Sequence, residues 1–134
     1  MLYAIFCYND EDAVFSWSKE KDDEVMANLA VVHQKLAAKG KLGPAARLMP
    51  TTAATTLRKD REPAIVVDGP YAETKEQLLG FYIVDFENLE EALAYTRELG
   101  VANPGGAYEL RPLRLFLKGA DVSDRELAIA EASA

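Results

Sequence analysis

Two segments, residues 2–8 and 78–86, are predicted to be β-strands with two apolar faces. Alternate residues of the first segment share a face, and both sets are mostly apolar: Leu2, Ala4, Phe6 and Tyr8 on one side, and Tyr3, Ile5 and Cys7 on the other. A strand with one face in water alternates apolar with polar residues. Both strands are therefore predicted to lie in a sheet that is covered on each side.

Each of these strands is followed by an amphipathic helix with a defined end. Apolar residues at helical spacing predict the first helix over 18–38, and Gly40 supplies its stop. Asn88 is predicted to cap the second helix with Glu91 in a capping box, and Gly100 to end it. The acidic stretch 9–15 is predicted to be an irregular loop.

Shorter strands are predicted between and after the two helices. Residues 47–49, 55–58 and 64–67 are typical of hairpin strands, and the last strand is expected over 107–117, interrupted at Pro112. A short helix over 124–131 completes the pattern. We therefore predict one domain over residues 1–118 and a C-terminal extension over 119–134.

The element order is β-α-β, a hairpin, then β-α-β. This order predicts a ferredoxin-like α+β fold, with an antiparallel sheet and two main helices on one face. The other face would then be bare although both strong strands carry apolar residues there. A large exposed apolar face usually marks a partner surface, so a homodimer packed sheet against sheet is expected.

Composition narrows the possible partners and compartments. The 134 residues carry a net charge of −7, which repels phosphate backbones and anionic lipid surfaces, so neither nucleic acid nor membrane is expected as a partner. One cysteine, Cys7, cannot form an internal disulfide and is expected to be a buried thiol. With no targeting or spanning segment evident, a cytoplasmic location is predicted.

The stretch most typical of a functional segment is residues 68–76, Asp-Gly-Pro-Tyr-Ala-Glu-Thr-Lys-Glu. It follows a short apolar strand, and Gly-Phe-Tyr at 80–82 and Glu-Leu-Arg-Pro at 109–112 come later in the chain. In this combination the chain resembles the DGPF group of the YCII-related domain family. The resemblance implies a dimeric ferredoxin-like α/β-barrel fold. A proposed His-Asp pair in the related YCII proteins also implies possible enzymatic activity.

A candidate site follows from residues 68–76 and the strand that carries Arg111. Asp68 and Glu73 are predicted acid/base residues, and Lys75, Arg111 and Tyr71 are predicted to bind a small polar or anionic ligand. The alternative is structural: Asp68 would bond its own turn, and Glu109 with Arg111 would form a weak surface ion pair. Aromatic residues are candidates for lining the cleft or the core: Tyr3, Tyr8, Trp17, Tyr82 and Tyr108.

The single histidine, His33, falls beside the apolar stripe of the first helix. A half-buried packing role is favoured over catalysis, because the histidine of the YCII relatives lies nearer the start of that helix. No ligand spacing for a metal and no cofactor motif is found, so neither is expected. Two function classes stay open: a cofactor-independent enzyme using carboxylate acid/base chemistry, and a non-catalytic ligand-binding or interaction module.

Overall fold

The structure, a computed structural model, describes residues 1–120, so the helix predicted over 124–131 lies outside it. The elements follow in chain order: β1 (Leu2–Asn9), α1 (Glu11–Phe15), α2 (Lys19–Ala37), β2 (Leu42–Arg47), a 3₁₀ turn (Thr51–Ala53), β3 (Thr55–Arg58), β4 (Ile65–Asp68), β5 (Gln77–Asp85), α3 (Leu89–Ala102) and β6 (Ala107–Pro112).

Four strands form one antiparallel sheet in the order β2-β5-β1-β6. The two strands predicted to be strongest, β1 and β5, are its central pair. Strands β3 and β4 form a separate two-stranded sheet, which we call the arm (Thr55–Asp68). The predicted ferredoxin-like α+β fold is confirmed, with the arm inserted between the second and third strands of the main sheet.

The core lies between the sheet and the helices α2 and α3. Its most deeply buried side chains are Ile5 of β1, Val84 of β5 and Leu99 of α3, each 0% exposed. Buried residues of α2 recur at helical spacing and pack against them: Val25, Leu29, Val32 and Leu36. The predicted stripe of α2 is confirmed at these positions. Because Ile5 and Val84 point to the helices, Phe6 and Ile83 lie on the opposite, open face.

Local side-chain bonds fix where the helices begin. The Ser18 hydroxyl accepts a hydrogen bond from Lys21 N at 3.1 Å, and Asn88 Oδ1 accepts one from Glu91 N at 3.0 Å. These bonds satisfy amides that have no partner inside the helix. Gly40 ends α2 with a φ of +67°. Gly100, however, lies inside α3, and the cap is Asn103, so the predicted end of this helix is wrong by two residues.

Three other predicted boundaries differ from the structure. Residues 9–15 are not a loop, because Glu11–Phe15 form α1. The Glu11 carboxylate accepts hydrogen bonds from the Thr51 hydroxyl and, at 2.9 Å, from Thr51 N. This distant contact supports a helix too short to form alone. The strand predicted at 47–49 lies instead at Leu42–Arg47, and the last strand ends at Pro112.

Gly80 allows β2 and β5 to approach each other. A Cβ atom built on Gly80 would lie 2.5 Å from the carbonyl oxygen of Ala46 in β2. No side chain fits at that distance without displacing the backbone of the neighbouring strand. The glycine of the Gly-Phe-Tyr motif is thus explained by sheet geometry. It also leaves the helix-facing side of the sheet without a side chain at that position, beside a cavity.

Candidate functional site

A cavity of about 330 Å³ lies between α2 and the helix-facing side of the sheet. Its walls are mainly apolar, with a small number of polar groups: Cys7, Asn9, Val14, Trp17, Asp22, Val25, Met26, Leu29, His33, Ala45, Ala46, Arg47, Leu79, Gly80, Phe81, Tyr82 and Asn103. This volume and this mixture are typical of small-molecule sites. The cavity is therefore the candidate functional site.

His33 and Tyr82 form a hydrogen-bonded pair inside this cavity. The Nε2 atom of His33 lies 3.0 Å from the hydroxyl oxygen of Tyr82, and the ring centroids are 5.1 Å apart. Burial lowers the pKa of His33 and raises the pKa of Tyr82, because both charged forms lose hydration. Near neutral pH the pair is uncharged, and the tyrosine hydroxyl can donate to the imidazole.

Asp22 and Arg47 form a second polar pair, which connects α2 to β2. The Nη2 atom of Arg47 lies 2.8 Å from Asp22 Oδ1, and its Nη1 atom lies 3.4 Å from Oδ2. The Asp22 side chain is 22% exposed and the Arg47 side chain is 31% exposed. Asp22 and His33 are eleven residues apart on one helix, which places their backbones about 16 Å apart along its axis. The cavity is thus polar at two separated positions and apolar between them.

Cys7 lies on the helix-facing side of β1, next to Gly80 of β5 and Tyr108 of β6. Burial raises the pKa of its thiol, against smaller lowering effects from Tyr108 and Arg47. The thiol form is therefore favoured at neutral pH, which makes Cys7 a poor nucleophile. Nearby, Asn103 Nδ2 lies 3.2 Å from the Tyr108 hydroxyl oxygen. Cys7 was predicted to be a buried thiol, and in the structure it is a partly buried one.

None of the five predicted site residues lines this cavity. Asp68, Tyr71, Glu73 and Lys75 are exposed on the arm and the loop after it, and Arg111 is exposed on β6. Within residues 1–120, no hydrogen bond or ion pair joins Asp68, Glu73, Lys75 or Arg111 to another of these four. A site made by them stays a prediction.

The contacts of this segment that the structure does show are structural. Gly69, with a φ of +110°, donates its N–H to the carbonyl oxygen of Ala54 at 2.8 Å. The Thr56 hydroxyl donates to the Gly69 carbonyl oxygen at the same distance. The Arg58 guanidinium lies 5.4 Å from the centroid of the Tyr71 ring. The Asp-Gly-Pro turn therefore closes the base of the arm.

Arg111 and Glu109 lie on the open face of the sheet. Arg111 Nε is 3.8 Å from Glu109 Oε2, and the side chains are 69% and 48% exposed. Such a pair contributes little to stability. The surface ion pair that the sequence offered as an alternative is confirmed.

Of the five aromatic residues offered from the sequence as lining for a cleft with Arg111, two line this cavity instead, Trp17 and Tyr82, and the polar pairs were not predicted. The Asp22–Arg47 pair joins a helix to a strand that was placed too late in the chain. His33 was interpreted as a packing residue, and the signal that could have marked it as a site residue was Tyr82 on the same side of the predicted sheet.

Within residues 1–120, no group of three possible metal ligands is found, and no helix is long and apolar enough to cross a bilayer.

Comparison with known proteins identifies the class of this fold. The family model described as the YCII-related domain matches residues 1–117. The chain therefore belongs to the YCII-related family.

Two individual proteins illustrate the range of similarity. An uncharacterised protein of Rhizobium meliloti (strain 1021) is 58% identical over 120 residues, which span 89% of this chain and 97% of that protein. A solved structure of 5-chloro-2-hydroxyhydroquinone dehydrochlorinase from Burkholderia phenoliruptrix, in complex with 2,5-dihydroxybenzoquinone, superposes with a TM-score of 0.50. The superposition covers 85% of this chain and 94% of the dehydrochlorinase chain, and the two sequences are 16% identical. At that identity the likeness shows a shared fold.

Protonation of His33 is expected to destabilise the protein. Its pKa in the folded chain is lowered from 6.5, so between the folded value and 6.5 the unfolded chain binds more protons. The free energy of unfolding then rises with pH in that window. Stability from this group is therefore complete above pH 6.5 and is lost as pH falls below it.

Urea unfolding at about pH 7.5 and about pH 5.5 measures this loss. The His33→Gln variant keeps a hydrogen-bond acceptor for Tyr82 but does not titrate, so its stability should fall less between the two pH values. An equal fall in both proteins would contradict the assignment to His33.

Proposed function

We propose that this protein binds a small, largely apolar molecule in the cavity between α2 and the sheet. The molecule carries a hydroxyl or carbonyl group, which the His33–Tyr82 pair anchors. The observation that carries the proposal is this pair: two uncharged hydrogen-bonding groups 3.0 Å apart in a cavity whose walls are mainly apolar. Hydrogen bonds made in such surroundings discriminate between ligands, because an unmatched polar group is costly to bury.

The geometry favours binding over carboxylate catalysis as the primary function. An acid/base carboxylate needs burial to raise its pKa and must reach the reacting atom. Asp68 and Glu73 are exposed. Among residues 1–120, Asp22 is the one carboxylate that lines the cavity, and it is held by Arg47. The other polar side-chain groups that residues 1–120 offer a ligand are then the imidazole, the tyrosine hydroxyl, the Cys7 thiol and the amides of Asn9 and Asn103.

Tyr82→Phe is expected to weaken binding of 4-butylphenol, a probe with an apolar body and one hydroxyl. The substitution keeps the ring but removes a neutral hydrogen bond, which contributes about 0.5–1.5 kcal/mol, or roughly twofold to tenfold in affinity. Calorimetric titration measures the change, and the fluorescence of Trp17, the single tryptophan, reports on the cavity wall. Tyr108→Phe is the matched control, because its hydroxyl bonds Asn103. Equal effects of the two substitutions would contradict the proposal.

The same titration separates this cavity from the site first predicted near the Asp-Gly-Pro turn. If Arg111 and Lys75 held the ligand, Arg111→Ala would weaken binding by about 1.5–3 kcal/mol, the range for a charged hydrogen bond. If the cavity holds it, this substitution leaves the affinity of the probe unchanged and Tyr82→Phe lowers it. The two sites thus predict opposite results for one pair of variants.

We further propose that two copies of the chain pair through the open faces of their sheets. Apolar side chains lie on that face in the single chain, among them Leu2, Phe6, Tyr8 and Ile83. A second copy would remove them from water at a gain of about 25 cal/mol per Å².

The Asp-Gly-Pro segment supports assignment of the chain to the DGPF group within its family.

A further inference from the structure

We propose that Asp22 makes this cavity selective for uncharged molecules, because its carboxylate occupies the guanidinium of Arg47 that would otherwise bind a ligand carboxylate. The inference rests on the proposed function, since it assigns a ligand class to the same cavity. It names Asp22 as a specificity-determining residue rather than as a catalytic one.

The first step is the geometry of the pair. Arg47 presents a planar fork of N–H donors, which is suited to a carboxylate with two oxygens. In the structure both Nη atoms are directed to the Asp22 carboxylate, at 2.8 and 3.4 Å. A ligand carboxylate at this position would compete with an internal one that is already positioned by α2. Since the internal carboxylate loses no translational freedom on binding, it has the advantage.

The second step is the charge of the whole wall. Of the residues that line the cavity, Asp22 and Arg47 are the two that are ionised at neutral pH, and their charges cancel. Lys21 lies near the wall, with Nζ 5.0 Å from the Trp17 ring centroid, but it is exposed and its charge is hydrated. An anionic ligand would thus enter a mainly apolar space to which residues 1–120 contribute no unpaired cation, and burial of an unpaired charge is strongly unfavourable.

The third step is the distance between the two polar pairs. Asp22 and His33 are about 16 Å apart along α2, and the helix residues between them that face the cavity are apolar: Val25, Met26 and Leu29. An elongated ligand anchored at His33 would extend its other end toward Arg47. The charge state of the Asp22–Arg47 pair therefore determines which end group is accepted there.

Two probes with the same 4-butylphenyl body test the inference: 4-butylphenol is uncharged at neutral pH and 4-butylbenzoate is anionic. The wild-type protein is expected to bind the phenol at least about tenfold more tightly. Asp22→Asn keeps the shape of the side chain but frees the charge of Arg47. It should strengthen benzoate binding relative to phenol binding by about tenfold or more, the effect of one charged hydrogen bond. The double variant Asp22→Asn, Arg47→Gln should not show this increase in benzoate affinity.

A reciprocal variant keeps the test decisive if Asp22→Asn does not fold. Arg47→Gln leaves the Asp22 carboxylate without its partner, so binding of the cationic probe 4-butylbenzylamine should strengthen by about tenfold or more. A purely structural tie between α2 and β2 would lower the melting temperature in both variants and change no charge preference.

The possible failures are distinguishable. The selectivity inference is overturned if the wild type binds phenol and benzoate with equal affinity. It is also overturned if Asp22→Asn does not bind benzoate more tightly and Arg47→Gln does not bind the amine more tightly. In both cases the cavity remains a binding site. If the wild type binds neither probe, the proposed function is overturned together with the inference.

Discussion

Gly106→Ala is expected to destabilise this protein more than any other single substitution considered for it, by about 2–5 kcal/mol. Gly106 has a φ of +74°, where an alanine side chain costs about 1–2 kcal/mol. Its added Cβ would also overlap the carbonyl oxygen of Tyr8. Since that atom is backbone, β1 must move, and such overpacking costs roughly 1–3 kcal/mol more.

Gly40→Ala is the matched control for this prediction. Gly40 has nearly the same φ, +67°, but within residues 1–120 no atom beyond its chain neighbours lies within 4 Å of its added Cβ. Both variants restrict the unfolded chain equally, so the difference between their unfolding free energies isolates the contacts of the added Cβ with Tyr8 and Asn9. Urea unfolding at one protein concentration measures it. Equal losses in the two variants would show that these contacts are relieved without cost.

The parts of the fold that were predicted correctly depend on local patterns. Strands β1 and β5 were recognised from alternation over a few residues, and α2 from apolar residues at helical spacing. The caps at Asn88 and Gly40 depend on side chains within one helical turn. The parts that were missed depend on contacts distant in sequence. The position of α1 depends on the hydrogen bond from Thr51 to the Glu11 carboxylate. The position of β2 depends on Gly80 of β5, which has no side chain to prevent the close approach of the two strands.

The same distinction explains the candidate site. The charges of residues 68–76 predicted a site because they are adjacent in sequence, yet the structure leaves them exposed at the end of the arm and on the loop after it. The cavity instead combines His33 with Tyr82 and Asp22 with Arg47, and neither pair is local in the chain. Burial, which makes His33 and Tyr82 chemically interesting, is a property of packing. It cannot be obtained from the order of residues alone.

Phe6→Lys is expected to separate the proposed dimer into single chains. Phe6 lies on the open face, opposite Phe81 of β5 and Glu109 of β6. A lysine at this position can pair with Glu109 of its own chain, so the monomer should still fold. In the dimer, both copies would lose a buried phenylalanine, which contributes about 1.5–3 kcal/mol per side chain.

The two copies together amount to about 3–6 kcal/mol, so the dissociation constant should rise by roughly a hundredfold to ten-thousandfold. Sedimentation velocity over a range of protein concentrations measures this shift. Val31→Lys is the matched control, because Val31 is 58% exposed on α2, on the other side of the sheet. A dimer that survives Phe6→Lys with the same dissociation constant would place the interface elsewhere. A wild-type protein that stays monomeric at every concentration would remove the interface altogether, and the apolar residues of the open face would then need a different partner.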